Sequence, residues 1–177
     1  MLKIIIGKTM SGKTTFIKEQ MLPKGYHQVI THTTRPQRPS EQADAYHFET
    51  SVPQTPDVLA LREYDMIGGH VAYWTTLADI QATVKPVMII DVKGAIELCQ
   101  NMPEAMIYYL NTPDAVIKER LFNSSRGKTE NVAESKRRYR DDVKEFAKLD
   151  QYATTEFQVM TRDEFLNVML GNKTSEL

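Results

Sequence analysis

The chain is predicted to be an α/β protein built on a parallel sheet, and three observations point to this. Short, nearly continuous apolar segments recur at Leu2–Ile6, Val87–Ile90 and Ala105–Leu110, the pattern of strands covered on both faces. Segments of helical periodicity alternate with them, as expected when crossover helices link parallel strands. A polar, turn-rich stretch over residues 31–76 interrupts the alternation and predicts an inserted, mainly β lobe.

The isoleucine-rich run Leu2–Ile6 is the first strand, followed by a loop over Gly7–Thr14 and a helix over Thr14–Met21. Val29 and Ile30 suggest a second short strand. Thr31–Asp44, with Pro36, Pro39 and three threonines, reads as a long ordered loop. Gly68-Gly69, between Met66-Ile67 and Val71–Tyr73, marks a hairpin. Leu77–Val84 is helical and stops near Pro86. The apolar strand Val87–Ile90 ends at Asp91, and a helix over Ala95–Gln100 leads to the strand Ala105–Leu110. Thr112 is suited to cap the next helix, Pro113 to its first position and Asp114 to its positive end. Residues 123–130 are polar. Val132, Tyr139, Val143 and Phe146 then form one stripe of a long charged helix. Phe157–Met160 is a last strand and Asp163–Leu170 a last helix.

A length of 177 residues suits one domain. Twenty-two basic and 23 acidic side chains give a net charge of −1, which argues against a nucleic-acid or membrane partner. A single cysteine, Cys99, excludes an internal disulfide and fits a cytoplasmic, reducing location. Its apolar helical setting predicts a buried, inert thiol. No apolar run approaches the roughly 20 residues of a membrane span, and the apolar start of the chain is too short and wrongly flanked for a signal peptide. His27, His32, His47 and His70 show no metal-ligand spacing and read as surface or loop residues. Nothing in the pattern distinguishes a monomer from a dimer.

Gly7-Lys8-Thr9-Met10-Ser11-Gly12-Lys13-Thr14 matches G-x-x-x-x-G-K-[ST], and it follows a predicted strand and opens a helix, which is the context that gives the pattern meaning. Glycines let main-chain amides curl around phosphate oxygens, and the helix N-terminus favours the anion. Gly7, Met10, Ser11, Gly12, Lys13, Thr14 and Thr15 are therefore candidate ATP-binding residues. Lys13 would face the β- and γ-phosphates, and the Thr14 hydroxyl would ligate Mg²⁺. Asp91, at the carboxyl end of an apolar strand, faces the ligand crevice of an α/β sheet, near either the metal or a second substrate, or else caps the next helix.

Arg35 and Arg38 lie three apart in a proline-stiffened loop. Two guanidinium groups can grip a phosphate by forked hydrogen bonds, and Tyr46 and Tyr73 can add hydroxyls. A second anion site beside the first suggests transfer of a phosphoryl group between two substrates, although a solvated loop explains the arginines equally well on the residues alone.

The stretch Thr31–Phe48, THTTRPQRPSEQADAYHF, resembles the guanylate kinase signature, in which T-T-R-x-x-R leads to Y-x-F. The resemblance continues through Glu63, Tyr73-Trp74-Thr75, Asp91-Val92-Lys93-Gly94-Ala95 and the arginines after Leu121, and so covers Ile4 to about Tyr152. It implies a P-loop NTPase-like, three-layer fold. The core would be residues 1–30, 77–122 and 139–177, the acceptor lobe 31–76 and a helical lid 123–138. The activity implied is transfer of phosphate from ATP, with Mg²⁺, to a nucleoside monophosphate, GMP or dGMP favoured. Arg35, Arg38, Tyr46 and Tyr73 would hold the acceptor phosphate, while Thr31, Glu63 and Thr75 would read guanine with Asp91 nearby. Lys13 would act on the transferred phosphate together with Arg126 of the lid and Arg137 or Arg138 of the next helix.

The sequence departs from that family at several points. Trp74 stands where glycine is usual, and it is expected to narrow or cover the base pocket. Ile89 replaces an aspartate, and Gln158–Thr161 replaces the usual asparagine-aspartate ending of the last strand. The lobe is slightly trimmed around residues 40–44. Two other readings compete: a kinase of the same fold for another nucleotide or a sugar phosphate, and a binding module without catalysis.

Overall fold

The computed structural model describes residues 1–37, 41–66, 69–123 and 132–171. It is a mixed α/β arrangement of two sheets. The central sheet holds β1 (Lys3–Gly7), β2 (His27–Gln28), β7 (Pro86–Ile89), β8 (Met106–Leu110) and β9 (Phe157–Thr161), in the order β2-β7-β1-β8-β9. The smaller sheet holds β3 (His32–Thr33), β4 (His47–Phe48), β5 (Val58–Met66) and β6 (Gly69–Thr76), in the order β4-β3-β6-β5.

β1 lies at the centre because its side chains are apolar on both faces. Ile4 and Ile6 pack into one cluster with Leu98, Ile107, Tyr109, Phe146 and Phe165. Ile5 packs into another with Ile17, Met21, Val87 and Leu110. Alternation along a strand sends neighbours to opposite faces, so the consecutive isoleucines Ile4–Ile6 need cover on both. One cover is the helical segment after β1. It begins as α1 (Lys13–Phe16), continues as a π-helical turn over Ile17–Met21 and a 3₁₀ turn over Leu22–Lys24, and stops at Gly25, whose φ is 79°. The other includes α3 (Val92–Asn101) and α7 (Arg162–Leu170), with Leu98, Cys99, Phe165 and Leu166 buried. Cys99 is buried as expected, and burial pushes its thiol up to about 12.

The remaining helices are α2 (Leu77–Ala82), α4 (Asp114–Asn123), α5 (Val132–Glu145) and α6 (Ala147–Tyr152). Among the described residues, no helix is long and apolar enough to cross a membrane.

Three expectations change. The sheet is not wholly parallel: β9 pairs antiparallel to β8, with Leu110 opposite Phe157. An edge strand that starts beside the end of its only neighbour needs no crossover connection, and such an antiparallel edge is compatible with an otherwise parallel sheet. The second strand covers His27–Gln28 rather than Val29 and Ile30, although Val29 extends the ladder by donating its N–H to Val87 O at 2.9 Å. Thr112 donates its hydroxyl to Ser11 O at 2.9 Å instead of capping α4.

Candidate active site

The first candidate centre is built where β1 ends. Gly7 leaves the sheet so close to β8 that a Cβ would meet Ser11 Oγ at 2.7 Å and Leu110 O at 2.8 Å. Gly12, at the N-cap of α1, has φ 95° and ψ 17°, a left-handed conformation that a side chain would strain. Lys13 turns back over the loop and donates to Gly7 O at 2.7 Å and Lys8 O at 2.9 Å. Arg120 donates to Met10 O at 2.9 Å. Thr14 and Thr15 are exposed at the start of α1. Ser11 is buried, and its Oγ has no hydrogen-bond partner among the described residues.

The loop already carries a carboxylate: Thr9 N donates to Asp142 Oδ2 of α5 at 2.5 Å. Asp142, Glu145 and Asp91 line a cavity of about 230 Å³ together with Gly7, Thr9 and Lys13. Burial, then the nearby Asp91 and Asp142 charges, raise the Glu145 carboxyl above its ordinary range.

Lys8 points to the other side of the loop and is almost fully buried. Its Nζ lies 3.0 Å from Asp114 Oδ1 and 2.8 Å from Asp150 Oδ2, and Tyr109 also donates to Asp150. Burial alone would lower the Lys8 ammonium, but its hydrogen bonds to Asp150 and Asp114 outweigh this and raise it. For Asp114, burial works upward, but the bonds from Lys8 and Tyr139 bring the carboxyl below its ordinary value. A depressed carboxyl stabilises the fold above its unfolded pKa, and that contribution is lost as pH falls through the folded pKa. A raised ammonium contributes fully below its unfolded pKa and loses its contribution above it. We therefore expect stability to fall on acidification below about pH 4. The slope of that acid limb should be shallower in Asp114→Asn, as read by urea denaturation at successive pH values.

The second centre lies on the smaller sheet. Arg35 is buried and donates Nε to Tyr73 OH at 2.9 Å, Nη1 to Pro36 O at 2.7 Å, and Nη2 to both Glu41 oxygens at 2.7 and 2.9 Å. It also lies over the Tyr46 ring at 5.4 Å, and that ring meets Tyr73 edge-on at 6.0 Å. Arg35, Tyr46 and Tyr73 are thus brought together. Thr31 is half-buried, and Thr75 is buried with its Oγ1 unpartnered among the described residues.

The β5–β6 register decides which side chains share their face. Arg62 pairs with Tyr73, Glu63 with Ala72 and Tyr64 with Val71. Directly opposed residues project to the same side, so Arg62, Tyr64 and Tyr73 share one face and Glu63 takes the other. Tyr64 packs edge-on against Tyr73 at 6.0 Å. Asp91 meets Arg62 Nε at 3.2 Å and Tyr64 OH at 3.1 Å while capping α3 through Gly94 N at 2.6 Å. Asp91 therefore both caps a helix and faces the crevice. Glu63 is exposed and lies 3.3 Å from His70, so the structure does not bring it to Asp91. Trp74 is also on the far face, buried and stacked on His32 at 5.3 Å. The expectation that its ring narrows or covers a base pocket beside Tyr73 is corrected by strand alternation.

Arg38 and Arg126 lie outside the described residues. Arg137 pairs with Asp141 at 2.9 Å, and Arg138 is half-buried on α5. Sequence reasoning missed Lys8, Glu41, Arg62, Tyr64 and Asp142. Only Asp142 carries a local signal: it follows Arg138 by four residues, one helical turn away on the same face.

A strand, a glycine-bearing loop and a helix, with a lysine folded over the loop, define a mixed α/β domain with a phosphate-loop sequence at the head of its central strand. No protein-family model matches the chain. It is 25% identical over 181 residues to the guanylate kinase of Legionella pneumophila (strain Paris), covering 97% of this chain and 86% of that protein. It is 26% identical over 155 residues to the guanylate kinase of Streptococcus thermophilus (strain CNRZ 1066), covering 81% and 73%. The crystal structure of guanylate kinase from Anaplasma phagocytophilum superposes with a TM-score of 0.43 at 16% identity, over 89% and 88% of the two chains. Over nearly its full length, the chain is similar in sequence to guanylate kinases.

Proposed function

We propose that the protein transfers the terminal phosphate of ATP to a nucleoside monophosphate, with GMP or dGMP the favoured acceptor. The observation that carries this is the Gly7–Thr14 loop, set between β1 and α1 in a chain similar to guanylate kinases along most of its length. The loop's chemistry fits a polyphosphate. One of its amides already holds a carboxylate oxygen, and the buried Ser11 hydroxyl has no hydrogen-bond partner among the described residues. Met10, Ser11, Gly12 and Thr15 would complete the cradle, and the exposed Thr14 hydroxyl suits an ion that takes oxygen ligands. Magnesium, when bound, neutralises charge on the phosphates.

On this reading Asp142 leaves the Thr9 amide when the triphosphate enters, because two anions cannot share one donor. Lys13 exchanges the carbonyls of Gly7 and Lys8 for phosphate oxygens. Arg35, held by Tyr73 and Glu41, presents its charge to the acceptor phosphate with Tyr46 and Arg38. Thr31, Thr75 and Asp91 line the base side. Arg126, with Arg137 or Arg138, closes from a lid over 123–138, excluding water from the transfer. Residues 31–76 form the acceptor lobe, and the remainder is the core.

A guanine reader needs a carboxylate that accepts from both N1–H and N2–H, the role assigned to Glu63. A specific observation favours a second reading, in which the acceptor carries another base: Tyr64 and Arg62, not Glu63, meet Asp91. A phenol offers one hydroxyl and cannot replace a carboxylate's two acceptors. A coupled assay with ATP, Mg²⁺ and GMP, dGMP, AMP, dTMP, CMP or UMP separates the two. If Glu63 reads guanine, Glu63→Gln lowers kcat/KM for GMP by roughly 10- to 100-fold, the worth of a charged hydrogen bond, and Tyr64→Phe changes little. The reverse ranking gives base reading to Tyr64, and turnover of dTMP without dGMP rejects guanine.

A further inference from the structure

We propose that the face of the small sheet turned away from Tyr73 carries a transition-metal site, with His32, His47 and Asp79 as ligands and zinc(II) as the occupant. The inference stands apart from phosphoryl transfer. His32 and His47 are opposed on the parallel strands β3 and β4, with ring centroids 4.7 Å apart. His32 Nε2 lies 2.8 Å from Asp79 Oδ2 on the first turn of α2. The candidate ligand atoms of these three residues all fall within 4.8 Å of one another, so shifts of about 1 Å would bring them to a common ion at about 2 Å.

The surroundings are those of a ligand set rather than a chance cluster. The second nitrogen of His32, Nδ1, faces Glu49 Oε1 at 3.3 Å, the carboxylate–histidine contact that orients a metal-bound imidazole. Trp74 stacks on the same ring with an interplanar angle of 15°. Thr76 donates its hydroxyl to Asp79 Oδ2, fixing the carboxylate. Two imidazoles and one carboxylate select zinc-like ions over magnesium, which prefers oxygen alone. Three protein ligands leave a fourth tetrahedral position for water, and His47 is exposed, which provides a route in. The ion would tie β3 and β4 to the start of α2.

The test uses the full chain, stripped with chelator and free of nucleotide. Titration with Co²⁺ should show one equivalent bound, with tetrahedral visible absorption bands that Zn²⁺ displaces. His47→Ala, at an exposed position, should keep the far-UV circular dichroism of the parent and lose those bands. Glu49→Gln should weaken binding by about 10- to 100-fold, and His70→Ala should leave it unchanged. Absence of saturable binding in the parent, undiminished affinity in both His32→Ala and His47→Ala, or loss of the bands in His70→Ala would each overturn the assignment.

Discussion

Lys13→Ala is expected to lower kcat with ATP and GMP by at least about 10²–10³-fold, the cost of removing one preorganised group that stabilises developing charge. The ammonium is held by two main-chain carbonyls, Gly7 O at 2.7 Å and Lys8 O at 2.9 Å. It is therefore already placed over the mouth of the loop and needs only to exchange partners. Phosphoryl transfer asks little covalent chemistry of a protein, so the charge facing the migrating group dominates. An interaction that strengthens toward the transition state appears in kcat rather than in KM alone. Stability should change by no more than about 1–3 kcal/mol, the range for hydrogen bonds from a charged donor. Measurement of ADP release alongside thermal unfolding checks both statements. Retention of kcat within about threefold would show that the loop does not hold the transferred phosphate.

Trp74→Ala is expected to cost about 3–5 kcal/mol of stability, as full truncation of a buried aromatic does. The ring is only 1% exposed and stacks on His32. Because it lies across the sheet from Tyr73, the variant that still folds at low temperature should keep the parent's ranking of acceptor nucleotides. The buried Nε1 has no partner among the described residues, so Trp74→Phe removes an unsatisfied donor and keeps an aromatic stack. Its cost should be about 1–3 kcal/mol, smaller than that of Trp74→Ala, because the single ring leaves only part of the indole volume empty. Urea denaturation followed by far-UV circular dichroism measures both. A change of acceptor ranking in Trp74→Phe would return the ring to the base pocket.

The legible parts of this protein were those whose cause is local. Leu2–Ile6 announces a strand buried on both faces because three consecutive isoleucines, Ile4–Ile6, bounded by Gly7, form a short β-branched run. Gly7–Thr14 announces its conformation because the residues that must tolerate close approach and positive φ are contiguous with the strand and helix that confirm them. Arg35, Tyr46 and Tyr73, which the structure brings together, were singled out by a proline-stiffened pair of arginines that a solvated loop explains equally well, and by a resemblance spread along the chain. Glu63 and Tyr64 were not separable in this way. They are adjacent, both polar at one end, and one step of register exchanges their faces.

By itself, the amino-acid sequence determined the central strands, the turn of the Gly7–Thr14 loop and the membership of Cys99 in the core, since each follows from burial or backbone sterics within a few residues. Tertiary structure alone decided the direction of β9, the partners of Lys8, the carboxylate of Asp142 on Thr9 and the meeting of His32, His47 and Asp79. It also chose Tyr64 over Glu63 beside Asp91, through a bulge between Leu59 and Arg62 where Ala60 adopts φ 52°. A bulge adds one residue to one strand and so reassigns every side chain beyond it. The balance of packing across the whole sheet sets its position, and no short stretch of sequence encodes that balance.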